Sequence, residues 1–426
     1  MKRGTIKTVI AERGFGFIRT EAGTDLFFHR SACREVAFEA LRPGQAVTYE
    51  EGSDPRGPRA AVIRPAGEWP EPGPGPARRE RAPVERPPRV RPATYEPKLT
   101  PWQVREQDFP WQGSAAERLR FLVRYAMLAP SSHNTQPWRF GLREDEVRLF
   151  ADTSRWLRVA DADRRELYIS VGCALENFLI AATYFGYGHE VEYFPDPEAP
   201  ELVARIAVTP HDELAGEEPS PLFGAISARH TNHRAYEPRP VPDADLERLR
   251  TCTDEEGLWL HLTSDPEIKR RAHDLIVRAD TLLFADPAFR EELGYWIGQG
   301  AFGASWLLAK LGQWAVTYAR GLGALAAKQD SEVLMSAPVL GLISSAADDR
   351  ASQVQVGRVF ERLCLTATSL GIRVQPMSQP LEVPALRMEL RELIPVAGAW
   401  PQQAFRLGYA DPEPHTPRRR LEEVLV

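Results

Sequence analysis

APSSHNTQPWRF, residues Ala129–Phe140, carries too many small polar side chains for a buried element. It follows directly on an amphipathic run, Ala115–Leu128, whose apolar residues recur at helical spacing, and it leads into the strand-like WRFGL, Trp138–Leu142. Its backbone amides and the side chains of Ser131, Ser132 and Asn134 are suited to ligating a polar heterocycle; as a bare motif it is equally a helix-capping loop.

Outward from that loop the pattern stays mixed. Tyr168–Phe185, Ile268–Phe284 and Gln355–Leu370 carry the helical period, and EVRLFA (Glu146–Ala151), LVARIAV (Leu202–Val208), LWLHL (Leu258–Leu262) and VLGLISS (Val339–Ser345) read as strands. Such a mix predicts an α+β or α/β domain of enzyme size. The stretch Ala174–Gly188 echoes Leu363–Val374, each reading as a helix that ends in an apolar-Gly turn, so two related halves are expected. Two further polar clusters follow. ARHTNHRAYEPRPV, Ala228–Val241, gathers Arg229, His230, His233 and Arg234 around Thr231 and Asn232, a set suited to a phosphate through guanidinium forks and a short hydroxyl donor. No carboxylate or cysteine completes a metal spacing there, and no metal is expected. PRRRLEEVL, Pro417–Leu425, brings three arginines close to the end of the chain, ordinarily a solvated tail.

At 426 residues the chain is too long for one ordinary domain, and its net charge of -6 is unevenly spread. Residues 1–65 hold 11 Lys/Arg against 8 Asp/Glu, and residues 66–100 hold 7 against 5, so a basic front precedes an acidic body. Residues 66–100 also hold nine prolines and read as a semi-rigid tether rather than a packed element. The four cysteines are far apart and form no CxxC pair. MKRGTIKTVI lacks the apolar centre of a signal peptide, and Ala301–Ala327 is interrupted by Lys310 and Arg320, so a cytoplasmic protein without a membrane span is expected.

In residues 1–65, GTIKTVI, GFGFIRT, DLFFHRS, AVTYEE and AAVIRP are short β-branched or aromatic runs bounded by Gly, Asp or Pro, the pattern of a small five-stranded barrel. Alternation sets Phe15 and Phe17 on one face of a strand and Phe27 and His29 on one face of the next, with Lys7, Arg13 and Arg30 nearby. Rings among cations suit single-stranded nucleic acid; an aromatic barrel core is the bland alternative. RGFGFI (Arg13–Ile18) with DLFFH (Asp25–His29), flanked by GTIKTV and by Leu41–Ile63, resembles the cold-shock domain. The resemblance implies an OB-fold barrel that binds single-stranded RNA or DNA, although Thr8 and Val9 stand where that family usually has aromatics.

The clusters of the larger part resemble the nitroreductase family. PSSHNTQPW, RHTNHR, the turn LGIRVQPMSQ (Leu370–Gln379) and PRRR stand where its members carry their flavin motifs, over about residues 110–426. Because PSSHN occurs only in the first half and the other motifs only in the second, the pattern looks like the family's twin-half branch, with pseudo-symmetric halves of about 110–215 and 216–426. The resemblance implies FMN in a site complete within one chain. Arg229, Thr231, His233 and Arg234, with Arg418 and Arg420, fall at the phosphate side. Pro130, Ser131, Ser132 and Asn134 line the ring from the other half, and Pro376, Met377, Ser378 and Gln379 run past the flavin N5 edge. His233 stands where a Lys or Arg is common. The implied activity is NAD(P)H oxidoreduction of a small-molecule electron acceptor. Flavin storage under a lid, for which the Trp296–Trp314 stretch is the candidate, and a redox-sensing RNA-binding regulator are the other readings.

Overall fold

The computed structural model describes residues 2–10, 15–20, 25–34, 37–54, 57–65, 99–211, 220–303, 306–318, 322–393 and 395–426. Contacts divide the chain into two units, residues 1–86 and 87–426; most of the proline-rich stretch lies outside the described residues.

The first unit is a closed five-stranded barrel. β1 (Lys2–Ile10), β2 (Phe15–Thr20), β3 (Asp25–His29), β4 (Ala46–Asp54) and β5 (Gly57–Pro65) close in the order β1-β2-β3-β5-β4. All neighbours are antiparallel except β3 and β5. Two-residue alternation sorts the side chains: Ile6, Ile18, Leu26, Phe28, Val47, Tyr49 and Ile63 fill the barrel, whereas Phe17 and Phe27 stay half-buried on the outside.

The second unit repeats one topology twice. After α1 (Ala115–Ala126), whose start is fixed by a reciprocal Ser114–Glu117 capping box, come β6 (Trp138–Leu142), β7 (Glu146–Ala151), α2 (Arg165–Tyr184), β8 (Tyr187–Tyr193) and β9 (Leu202–Pro210). α3 (Pro221–Ala228) and α4 (Asp243–Arg250) lead to β10 (Leu258–Thr263). Then α5 (Pro266–Ala285), α6 (Pro287–Gly298), α7 (Trp306–Tyr318) and α8 (Leu322–Ser336) intervene before β11 (Val339–Ser345) and α9 (Arg350–Ser369). β12 (Arg373–Pro376), α10 (Gln379–Glu382), α11 (Pro384–Arg391), β13 (Trp400–Gly408) and α12 (Leu421–Val424) complete it. The sheets run β6-β7-β9-β8 and β10-β11-β13-β12, so each half has two strands, a 20-residue helix and two more strands in one spatial order.

The symmetry extends to single residues. Gly172 is the eighth residue of α2 and Gly357 the eighth of α9, and the helices cross there so closely that a Cβ on Gly357 would lie 2.0 Å from the Ile169 carbonyl oxygen and one on Gly172 2.1 Å from that of Val354. Both helices end at a glycine of positive φ, Gly186 at 79° and Gly371 at 73°, a conformation that costs other residues a steric penalty. α2 is apolar nearly all round, as suits a helix that is buried except near its last turn. It is long and apolar enough to cross a membrane, but 83% of that stretch is buried inside this unit.

The halves differ in one connection. β6 and β7 are joined by Arg143–Asp145, whereas α5–α8 fill the equivalent place between β10 and β11. These helices reach across to the first half: Leu283, Phe289, Trp296 and Ala301 pack on Leu157 and Ala160, and the Glu292 carboxylate accepts from the amides of Val159 and Ala160 at 3.0–3.2 Å. The end of the chain also crosses over, with Val426 N donating to Phe140 O at 3.0 Å. The last residues therefore pack on the half opposite to the one in which the sequence division at 216 puts them.

Candidate functional site

A cavity of about 340 Å3 lies at the seam between the halves, beneath the inserted helices. Its walls come from the loop after α1, the start of α2, the segment after α3, the turn after β12 and the segment before α12. Polar clusters separated by up to about 290 residues in the sequence thus meet in one place, because α2 and α9 cross at their glycines and the chain end returns to β6.

The loop after α1 is held in an unusual backbone conformation. His133, Asn134 and Gln136 have φ of 47°, 52° and 51°, the left-handed region that side chains rarely adopt. Such conformations persist where the surroundings over-determine them, and here the inserted segment and the chain end do so together. Asn134 Nδ2 donates to Ala301 O at 2.8 Å and to Pro417 O at 2.9 Å, and Gln136 Oε1 accepts from Arg419 N at 2.7 Å. Pro130, Ser131, Ser132 and Asn134 all line the cavity, with the Ser131 hydroxyl accepting from Gln136 N at 2.9 Å.

One end is basic. Arg229 Nη2 and Arg418 Nη2 converge on Leu128 O at 3.3 and 3.0 Å, which brings two buried guanidiniums together beside Thr231. Arg229 Nε has no hydrogen-bond acceptor; it stands 3.5 Å from Glu361 Oε1. Burial pushes the Glu361 carboxyl up to about 7 against the pull of Arg229, so near neutrality much of the charge on Arg229 is uncompensated. His415 stacks on Trp102 at 3.9 Å, and burial together with His230, Arg229 and Arg418 pushes its imidazole down to about 4. His230 accepts from Glu413 N at 3.0 Å through Nε2, which leaves Nδ1–H to donate to Ala228 O; both nitrogens are engaged and the ring is neutral.

Along the turn after β12, Gln375, Pro376, Ser378 and Gln379 face the cavity. Gln375 Nε2 donates to His233 Nδ1 at 3.0 Å and its Oε1 accepts from Arg406 Nε at 2.7 Å, so a buried guanidinium stands behind a neutral imidazole. Burial holds His233 below its ordinary value, and Arg406 adds to the effect.

Three expected residues are not brought to the cavity. Met377 alternates to the other side and packs with Tyr236, Ile276 and Leu334. Arg234 is exposed beside Glu413 at 3.7 Å, and Arg420 is exposed and spent on Glu423 at 3.1 Å. Periodicity and motif position overlooked Gln375, Arg406 and the cavity carboxylates Glu166, Asp280, Asp330 and Glu382. A polar residue at an inward position of an apolar strand or helix was their one signal. The Trp296–Trp314 stretch is also divided by the structure: Trp296 is buried under Arg155, Phe302 lines the cavity, and Trp314 is exposed.

On the barrel, register pairs Phe15 with His29 and Phe17 with Phe27, and the Phe17 and Phe27 rings meet edge to face at 5.9 Å. Lys7, His29 and Arg30 are exposed. Arg13 and the side chain of Phe15 lie outside the described residues.

Comparison with known proteins gives two distinct matches. The 'Cold-shock' DNA-binding domain family matches residues 2–66, and Cold shock protein 2 of Lactiplantibacillus plantarum is 49% identical over 65 residues, 15% of this chain and 98% of that protein. A Mycobacterium tuberculosis protein named as an NAD(P)H nitroreductase, Rv3131, is 32% identical over 321 residues, covering 73% of this chain and 91% of its own length. Among solved structures, a nitroreductase with bound FMN from Desulfitobacterium hafniense aligns at 13% identity and a TM-score of 0.33, over 47% of this chain and 95% of that one.

Proposed function

The chain belongs to the nitroreductase family over most of its length and carries a cold-shock domain at its front, and from that premise we propose that it is an FMN-dependent NAD(P)H oxidoreductase acting on nitroaromatic or quinone-like acceptors, with single-stranded nucleic acid as the ligand of the barrel. The observation that carries the reading is the meeting of all four motif segments at one seam cavity with two arginines at one end.

The donor set fits the cofactor. Two buried guanidiniums, Arg229 and Arg418, meet at the cavity wall beside the Thr231 hydroxyl, a donor set that suits a phosphate. Bound FMN would supply the two-electron redox chemistry. The chain's own part is to orient and enclose. The strained 131–134 loop forms a fixed polar wall, Pro376, Ser378 and Gln379 form the opposing edge, and the inserted helices keep bulk water out. The neutral His233 contributes a hydrogen-bonding group rather than a permanent charge.

The protein should purify yellow with one FMN per chain, lose its colour under anaerobic NAD(P)H, and regain it on adding a nitroaromatic compound. Arg229→Ala should remove a charge-assisted contact of about 1.5–3 kcal/mol and weaken FMN binding roughly 10- to 100-fold. Glu361 can stay protonated in that variant, so the fold should tolerate the loss. Two flavins per chain, or unchanged affinity in the variant, overturns the assignment. The clamp of Glu292 on the Val159 and Ala160 amides favours a second reading, flavin storage under a closed roof. In that case the colour persists in NAD(P)H.

A further inference from the structure

Away from the arginines the cavity is lined with acid. Glu166 at the start of α2, Asp280 on α5, Asp330 on α8 and Glu382 on α10 all face it. Two of these have partners: Glu166 Oε1 accepts from Arg165 Nη2 at 2.9 Å, and Asp330 Oδ2 accepts from Gln379 Nε2 at 3.0 Å. Asp280 does not. It is 1% exposed, its Oδ2 has no hydrogen-bond partner, and among the described residues no cation pairs with it or with Glu382. A buried carboxylate without a countercharge is costly for a fold to keep. Three rings, Phe284, Phe289 and Phe302, share the same lining, all from the inserted segment that the first half lacks.

We propose that the roof of the cavity forms a subsite for a flat organic cation, an aromatic compound bearing a protonated or permanently charged nitrogen, with Asp280 as its charge partner and Phe284 and Phe289 as its walls. Carboxylate and aromatic faces both attract such a group, and both are more effective out of water. The proposal deepens the oxidoreductase reading by naming the acceptor class, and for that role alone it rests on the flavin assignment. Burial, reinforced by Asp330, pushes the Asp280 carboxyl up to about 7. Ionisation is needed to hold a cation, so binding strengthens as pH rises through that value. Glu382 is raised in the same way by burial and by Glu166, Asp161 and Asp280, while Arg165, which lowers the Glu382 value, and His233 and Arg406, which lower the Asp330 value, act in the opposite sense. On α5 itself Arg278 is turned out to Glu389 of α11, and from α6 Glu292 is spent on backbone amides.

The test uses the full-length protein, both flavin-free and FMN-loaded, with benzamidine, benzamide and benzoate as probes in calorimetric titrations. Benzamidine should bind at least about tenfold more tightly than benzamide, with benzoate weakest. Its affinity should rise between about pH 6 and 8, and Asp280→Asn should erase both the preference and the pH dependence. Melting temperature provides the control on folding. A folded carboxyl raised above its unfolded value makes the native state lose stability as pH rises from about 4 to 7, so Asp280→Asn should melt no lower than the parent at pH 8. Equal affinities for benzamidine and benzamide, or an Asp280→Asn variant that keeps the preference, overturns the subsite. Cation preference without FMN binding would fault the flavin reading alone, and FMN binding without cation preference would fault the subsite alone.

Discussion

Burial and the Gln375 amide hold the His233 imidazole neutral at pH 7, which fixes what this residue can do beside a bound flavin. Its Nδ1 accepts a hydrogen bond, so protonation there would break the pair, and Arg406 behind Gln375 opposes it as well. The sign follows: because the value is lowered, charge appears on His233 only below its ordinary range, and any gain from that charge is absent at neutral pH. His233→Arg supplies the charge permanently. It should raise the flavin midpoint potential by roughly 20–40 mV, the equivalent of about 1–2 kcal/mol for a two-electron couple; a potentiometric titration giving the same or a lower midpoint would refute this. Residues whose chemistry is announced by their sequence neighbours were readable in advance. Arg229 and Thr231 sit in RHTNHR, Ser131 and Asn134 in PSSHN, and all reach the cavity. Met377, Arg234 and Arg420 were expected from the same strings and point elsewhere, because alternation and capping set their direction. Arg406 and Asp280 could not be picked out, since only packing reveals that one stands behind Gln375 and the other lacks a partner.

At the scale of elements, the crossing of α2 and α9 brings the two halves of the cavity together, and it depends on a matched pair of glycines. Alanine at either position gains up to about 1 kcal/mol of helix propensity. Against this stands a Cβ about 2 Å from a backbone carbonyl oxygen, which cannot rotate away as a flexible side chain can. Overpacking of this sort typically costs about 1–3 kcal/mol and here should exceed the propensity gain. Gly172→Ala and Gly357→Ala should each lower the melting temperature by a few degrees and weaken flavin binding. The double variant should cost less than the sum, because one separation of the helices relieves both contacts. Additive losses, or stabilisation by either substitution, would show that the crossing is looser than described. Elements with a clean period were read to within a few residues: EVRLFA and VLGLISS match β7 and β11 at both ends. β13 was not visible because Gln402, Gln403 and Arg406 interrupt its apolar pattern, and their polar atoms are used in buried hydrogen bonds that sequence does not display. Ile268–Phe284 carries the helical period of α5, but nothing in the sequence marks α5–α8 as an insertion, which becomes evident only when the two sheets are compared.

At the scale of the whole molecule, the barrel and the twin-half unit each have a hydrophobic core of their own. Each should therefore keep its ligand without the other. Residues 87–426 alone should bind FMN with the affinity of the full chain, and residues 1–65 alone should bind a short single-stranded oligopyrimidine. For the barrel the forces can be told apart. Phe17 and Phe27 present half-buried rings on the face opposite the core residues Ile18, Leu26 and Phe28, while Lys7 and Arg30 stand exposed. Stacking on a ring is worth about 1–3 kcal/mol per base, and it releases few counterions. Each phosphate neutralised on a single strand contributes about 0.7 to the logarithmic salt slope. Three or four cationic contacts thus give a slope of roughly -2 to -3. Phe17→Ala should weaken binding without altering that slope, whereas Lys7→Ala should flatten it. Fluorescence anisotropy over a salt series separates the two. A flat titration at about 50 mM salt, where electrostatic attraction is strong, would leave the barrel without a nucleic-acid role, whatever the twin-half unit does.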